Sequence, residues 1–440
     1  MIKIIAFVIT SCLIKEAFLW PNHDISSLKL LQVVHRHGDR TPTEFVGNDP
    51  FSDLNKYWPE GEGELTNEGR LRLYKLGQFI RREYNQFLGE DYSPREVYVR
   101  SSLSHRCLDS ASLLLSGAYP PNNMKWQWSS NNGTDDKLGS LWQPFPIESF
   151  MPKDDDIVMT VDRNCPTAEE ELKKILNSET VLKLLDENKD FFDELSEKVG
   201  HKVNDLKTIN KLYEALVIER NRDLKWSDMK VWTPDYEQMV INKLKPFVVT
   251  YWRLEWDNRL IERVRAGPLV EKLLKNFGSY IEGKPIENSV RNPYKMFVYS
   301  THDSKLAVLM NALNIFNDQL IPFGATLLFE LHQTPGAVDY FVKIYYFNET
   351  LSDLSPHPMS LKDCDNRVDC PFNRFMEISK NVIPDNWERE CGVSSSKQSI
   401  FISNLVAMVL NIILLLVLVS LIIFNCYHNN RSSYIPLEWH

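Results

Sequence analysis

The residues best able to do chemistry are crowded into "QVVHRHGDRTP" at positions 32–42, where His35, Arg36, His37, Asp39 and Arg40 follow directly on an apolar run. A solvated turn is ordinarily served by one or two charges mixed with Gly and Pro. Two arginines around a histidine describe instead a local anion site, because guanidinium forks match the oxygens of a tetrahedral oxyanion in both charge and geometry. Two further stretches place comparable residues: "REVYVR" ends at Arg100, and His302 with Asp303 follows "KMFVYST". Arg36, Arg40 and Arg100 are expected to fork onto one oxyanion.

The elements around these residues share one pattern. "LKLLQVV" from Leu28 to Val34 reads as a buried strand that ends where the charges begin. "REVYVR" passes into "SSLSHRCLDSASLLL", whose leading serines and apolar spacing predict a capped helix. Met296 to Tyr299 is a third strand, followed by Thr301, His302, Asp303 and a helical pattern. In open α/β sheets ligands bind outside the carboxyl ends of the strands, and helix amino termini aimed there favour an anion. A helix is predicted after a Thr66 or Asn67 cap, with Leu73, Leu76, Gly77, Ile80 and Tyr84 on its packed face. From Thr167 to about Val264 the chain turns helical and charged, which predicts an inserted helical subdomain. Ala325 to His332 and Val338 to Phe347, joined around Pro335 and Gly336, predict an antiparallel hairpin and hence a mixed sheet.

The whole chain narrows the setting. Its 440 residues are 43% hydrophobic and 25% charged, ordinary for a globular protein, and a net charge of −9 excludes a nucleic-acid binder, which needs a basic footprint. Residues 1–20 read as a signal peptide, since Lys3 precedes an apolar run from Ile4 to Ile14 too short to span a bilayer. Ile400 to Phe424 carries no charge over 25 residues and reads as a transmembrane helix, ahead of a short cytoplasmic tail at 425–440. The body, 21–395, is then expected outside the cytosol, in the lumen. Asn132 and Asn348 head glycosylation sequons, and Cys107, Cys165, Cys364, Cys370 and Cys391 in an oxidising compartment allow up to two disulfides and one free thiol. Cys426 lies at the inner membrane edge, open to palmitoylation or idle.

"RHGDRTP", "LTNEG", "VYVRSS", "LWQPFPI", "RNCP", "STHD" and "YYFNET", with the spacing of Cys364, Cys370 and Cys391, resemble the histidine acid phosphatases of the lysosomal and prostatic type, over Leu28 to Cys391. The resemblance implies an α/β fold with a mixed central sheet flanked by helices, phosphoglycerate mutase-like, with the inserted subdomain at about 167–264. It implies that His37 is the nucleophile, that Arg36, Arg40, Arg100 and His302 hold the phosphate, and that Asp303 protonates the leaving alcohol. These residue types suit the chemistry: a neutral imidazole attacks phosphorus, arginines offset charge on the equatorial oxygens, and water hydrolyses a phosphohistidine. An unperturbed Asp has a pKa of about 3.9, so activity is expected in acid. No cofactor and no metal are expected, since three arginines would compete with a cation.

The same resemblance implies Cys165 paired with Cys391 and Cys364 with Cys370, leaving Cys107 buried in its helix. It implies a homodimer through "LWQPFPI", although Glu148 follows where relatives carry a histidine. Asp39 is expected to orient the loop or pair an arginine, and His35, pointing away from Arg36, to be packed or solvated. The expected function is hydrolysis of small phosphate monoesters. The alternatives are a lipid- or inositol-phosphate-selective phosphatase of the same superfamily, or a catalytically inactive membrane-bound binding protein. In the tail, Tyr434 and Leu437 fit a tyrosine-based signal for a sorting adaptor, with Pro436 favouring an extended backbone. The expected address is the lysosomal or endosomal membrane, with cell-surface display or release by cleavage as further outcomes.

Overall fold

A computed structural model describes residues 23–121, 143–151, 158, 164–285, 294–352 and 354–431. The signal peptide expected at 1–20, Asn132, the acidic run Asp154 to Asp156, Tyr434 and Leu437 lie outside the described residues. Two compact units divide the chain, one of Met1–Asn164 with Ala168–Asp385 and one of Cys165–Thr167 with Asn386–His440.

In the larger unit β1 (Leu28–Arg36) is buried along nearly its whole length and runs two residues past the predicted Val34. α1 (Asn67–Glu83) begins after Thr66, whose hydroxyl accepts from the Gly69 amide at 3.1 Å, a cap worth about 1 kcal/mol. β2 (Val97–Ser101) feeds α2 (His105–Ala118); Ser104 takes the cap position, but its side chain makes no capping bond. Then come α3 (Pro166–Leu176), α4 (Glu179–Asp186), α5 (Lys189–Val199), α6 (Leu206–Asn221), α7 (Pro234–Trp256), α8 (Arg259–Arg265) and α9 (Gly267–Ile281). β3 (Met296–Thr301), α10 (Asp303–Ala312), β4 (Thr326–Gln333), β5 (Tyr340–Phe347), β6 (His357–Met359), β7 (Asp369–Pro371) and α11 (Phe372–Ser379) complete the unit.

The sheet runs β2-β3-β1-β4-β5-β6, with β7 also on β5. β1, β2 and β3 are mutually parallel about β3, whereas β4 is antiparallel to β1 and the remaining pairs are antiparallel. Register sets Arg36 beside Thr301 and Ser101 beside Ser300, so the three parallel strands stop at one level. One sheet face buries Leu31, Val33, Val97, Val99, Met296 and Val298 against α1 and α2, each such side chain contributing roughly 1.5–3 kcal/mol. On the other face Gln32 donates to the Leu273 carbonyl of α9 at 2.9 Å, and Asn276 donates to Gln32 and to the Tyr299 hydroxyl. Strand alternation therefore puts His35 on the α1 and α2 side and Arg36 on the opposite one. A second core, with Phe192, Leu195, Leu212, Leu216, Val240 and Leu244, joins α5, α6 and α7.

Cys364 and Cys370 are joined in the larger unit. In the smaller unit Cys165 is joined to Cys391, and α12 (Val393–Arg431) contains the apolar stretch Asn404–Tyr427. Its 24 residues are long and apolar enough to cross a membrane, a few residues later than the predicted 400–424.

Candidate active site

The charged loop leaves β1 and is fastened on both sides. The His37 amide donates to the Thr301 carbonyl at the end of β3, and the His37 carbonyl accepts from the Gly324 amide, each at 3.0 Å. Gly38 and Gly69 allow the loop to lie against the first turn of α1: a Cβ on Gly38 would come 2.4 Å from the Gly69 carbonyl oxygen, and one on Gly69 would come 2.2 Å from that of Asp39. Asp39 pairs with Arg72 of α1 through two hydrogen bonds, 2.6 and 3.2 Å. Asp39 is thus an anchor for the loop, and "LTNEG" is its seat.

His37 is 2% exposed. Its Nδ1 lies 2.8 Å from the Gly38 carbonyl oxygen, which can only accept, so Nδ1 carries the proton and Nε2 keeps its lone pair. Burial, reinforced by Arg36 and Arg106, pushes the imidazole well below its ordinary pKa. The ring therefore stays neutral in acid. His302 faces it edge-on at 5.5 Å between ring centres, and burial and Arg106 lower its pKa to about 3. The Ser102 hydroxyl, at the end of β2, lies 3.0 Å from His302 Nε2.

Asp303 is the first residue of α10, with His302 in the cap position. Arg36 pairs with its carboxylate through one nitrogen and donates to the Ile321 carbonyl at 2.5 Å through the other, while its guanidinium lies 4.1 Å from the centre of the Phe323 ring. Burial acts to raise the Asp303 carboxyl, but Arg36, Arg40 and His302 outweigh it and hold the group below its ordinary value. Arg40 donates to the Thr41 carbonyl at 3.0 Å and to Glu214 of α6 at 2.6 Å. The Nε atoms of Arg36, Arg40 and Arg106 are buried and have no partner among the described residues. Buried guanidinium donors beside a neutral imidazole suit an oxyanion.

The third arginine whose charge acts on His37 and His302 is Arg106, in the first turn of α2, where Arg100 was expected. Arg100 stands on the edge strand with its guanidinium 4.4 Å from the centre of the Phe150 ring, and the arginine charges weighing most on His37 and His302 are those of Arg36, Arg40 and Arg106. Strand geometry explains the difference: the end of β2 at Ser101 hands the chain to α2, whose second residue is Arg106. The motif "SHRC" carries the signal, an arginine just after a helix start.

His35 is fully buried, its pKa lowered to about 4 by burial, and its Nδ1 lies 3.1 Å from the Arg36 carbonyl oxygen. It packs and takes no part in the cluster. Cys107 is buried behind His302, its sulfur 3.7 Å from Nε2, with burial raising the thiol to about 11, too high to act as a nucleophile. Among the described residues no group of three or more His, Cys, Asp or Glu is arranged to hold a metal ion. A cavity of about 280 Å³ opens beside Arg36 and Asp303, walled by α6, α7 and the loop Leu320 to Phe323.

A neutral imidazole among three guanidinium groups at the ends of parallel strands defines a centre of the phosphoryl-transfer class. The model of the histidine phosphatase superfamily (branch 2) matches residues 27–347, and the chain belongs to that superfamily. It is 31% identical over 373 residues to the prostatic acid phosphatase of Rattus norvegicus, covering 84% of this chain and 91% of that protein. To the lysosomal acid phosphatase of Homo sapiens it is 29% identical over 369 residues, 84% of this chain and 81% of that one. Among solved structures the phytase of Citrobacter braakii matches with a TM-score of 0.60 at 17% identity, over 83% of this chain and 99% of that one, a likeness of fold.

Proposed function

We propose that the chain is an acid phosphatase, a phosphomonoester hydrolase that works through a phosphohistidine on His37. The observation carrying this reading is the tautomer: Nδ1 is committed to the Gly38 carbonyl, so Nε2 is available as nucleophile at a pH where an ordinary histidine is charged. Arg36, Arg40 and Arg106 hold the phosphoryl oxygens, with His302 beside them. Nε2 attacks phosphorus as the P–O bond to the alcohol breaks, and Asp303 gives the leaving oxygen its proton. Water then attacks the phosphohistidine, Asp303 takes a proton back, and phosphate leaves.

The ion pair with Arg36 keeps Asp303 ionised in the free enzyme. Phosphate oxygens drawn to Arg36 weaken that pair, and a monoester monoanion, whose second pKa is near 6, brings the proton that Asp303 needs. Acid activity then reflects the substrate's protonation as much as the enzyme's. Acid-labile, base-stable phosphoprotein should be trapped by rapid quenching with labelled monoester and should be absent in His37→Ala; a fully active His37→Ala enzyme would refute the assignment.

The finer placement is inferred from the chain's ends and its relatives. The apolar stretch Asn404–Tyr427 anchors the protein, with 21–395 lumenal after loss of a signal peptide, Asn132 and Asn348 glycosylated, and Tyr434 with Leu437 presented to a sorting adaptor for the lysosomal membrane. Asn348 is exposed, as glycosylation of a folded surface requires. Homodimerisation is supported by the exposed Phe150 and Met151 beside the edge strand β2.

A further inference from the structure

The cavity beside Arg36 and Asp303 is where a leaving alcohol must lie, and its walls differ sharply from the phosphate site. α6 turns one face to it, with Asn210, Tyr213, Glu214 and Val217 at successive helical spacings. Across from these stand Trp252 of α7, with Leu320 and Phe323 of the loop. The Trp252 indole N–H is already used, donating to Asn210 at 3.0 Å, so the ring offers the cavity an apolar face.

The charges at the rim are acidic. Glu214, about a third exposed, sits on Arg40 and also acts on Arg36. Glu349 lines the same cavity, and its partner Arg72 is already shared with Asp39. A second phosphate carried on the alcohol would therefore meet carboxylates, with the local cations committed to them or to the reacting phosphoryl group. At separations of several ångströms and partial exposure, such like-charge repulsion is worth about tenfold or more in binding.

We propose that Glu214 is a specificity-determining residue, and that with the Trp252, Leu320 and Phe323 wall it selects monoesters of uncharged, apolar alcohols and rejects alcohols bearing a second anionic group. The proposal rests on the phosphatase reading above. Glu214 works by excluding anions from the alcohol side while leaving Arg40 oriented toward the phosphoryl side.

A matched pair of substrates tests it on the intact, detergent-solubilised chain: hexyl phosphate and hexane-1,6-diol bisphosphate, which differ only in the second phosphate. The wild type should favour the monophosphate by about tenfold in kcat/KM, a gap that narrows as salt is raised. Glu214→Gln should close most of that gap and abolish its salt dependence, whereas Glu214→Asp should keep it. Trp252→Ala should lose activity progressively with chain length from methyl to hexyl phosphate, through KM. Equal changes on both hexyl substrates in Glu214→Gln, or a wild type that prefers the bisphosphate, would overturn the proposal. A wild type that hydrolyses neither ester would instead overturn the phosphatase reading on which it rests.

Discussion

At Arg106 the scale of a single side chain decides the chemistry. Its charge weighs on both His37 and His302, so it is placed to meet an oxyanion beside them. Removing one such donor typically costs 10²–10³-fold. Arg106→Ala should lower kcat by roughly that factor, while Arg100→Ala should cost less than about fivefold; the reverse order in steady-state assays would restore Arg100 to the site. Asp303 carries a pH prediction. Because Arg36 holds its carboxyl low in the free enzyme, the alkaline fall of kcat/KM should follow the substrate's second ionisation. Exchanging one aryl phosphate for another of lower second pKa should move that limb down by the same amount, and a limb fixed for all substrates would assign it to the protein. Asp303→Asn should slow alkyl esters far more than activated aryl esters, since only poor leaving groups need the proton.

Elements matter through the seat they give the loop between β1 and α1. The first turn of α1 touches that loop backbone to backbone, so Gly69 has no room for a methyl group. Gly69→Ala should displace Asp39 and with it Arg40, lowering kcat/KM by about 10²-fold with only a modest fall in Tm, because a small misplacement of catalytic groups is costly. Thr66→Ala removes one capping bond and should lower stability by about 1 kcal/mol in chemical denaturation. A Gly69→Ala enzyme with unchanged kcat/KM would show that the loop is positioned by β1 and β3 alone.

Over the whole molecule, buried ionisable groups oppose one another as pH falls. His35, His37 and His302 are all kept neutral by burial, so the unfolded chain binds protons that the fold refuses, and stability is lost as pH drops below about 6.5. Buried Glu219 acts the other way. Its carboxylate accepts from the Trp226 indole at 2.8 Å, and burial with the neighbouring Asp49 charge raises its pKa to about 10. A raised folded pKa contributes stability that is full below the unfolded value of 4.5 and is lost as pH rises. Glu219→Gln should therefore gain on the wild type with rising pH, its Tm difference growing by about 3–5 °C from pH 5 to pH 8; a constant difference would mean that the pair holds no extra proton. Glu330 adds a third element, since hydrogen bonds from His23 and His332 outweigh burial and hold its carboxyl near 2. That stability is present above the ordinary carboxylate range and fails only in stronger acid.

Local chemistry was legible in the sequence wherever it depends on neighbours along the chain. Apolar runs ending in charge marked β1, β2 and β3, because a buried strand must be apolar and its exit polar. The bulk of His37, Arg36, Arg40, His302 and Asp303 could be read from two motifs, since a strand end and a helix start each present consecutive residues to one place. The apolar stretch near the carboxyl end declared itself by length and lack of charge. What depends on contacts between distant segments was decided only in three dimensions. That the charge of Arg106 acts on His37 and His302 follows from α2 starting beside the ends of the strands that carry them. The tautomer of His37 follows from the Gly38 carbonyl, the tight fit of Gly38 to Gly69 from the docking of α1, and the acidic, apolar character of the alcohol pocket from α6 and α7 meeting the Leu320 to Phe323 loop. Periodicity and spacing describe each segment alone, whereas burial, proton sharing and the field at a site are sums over segments that only the fold brings together.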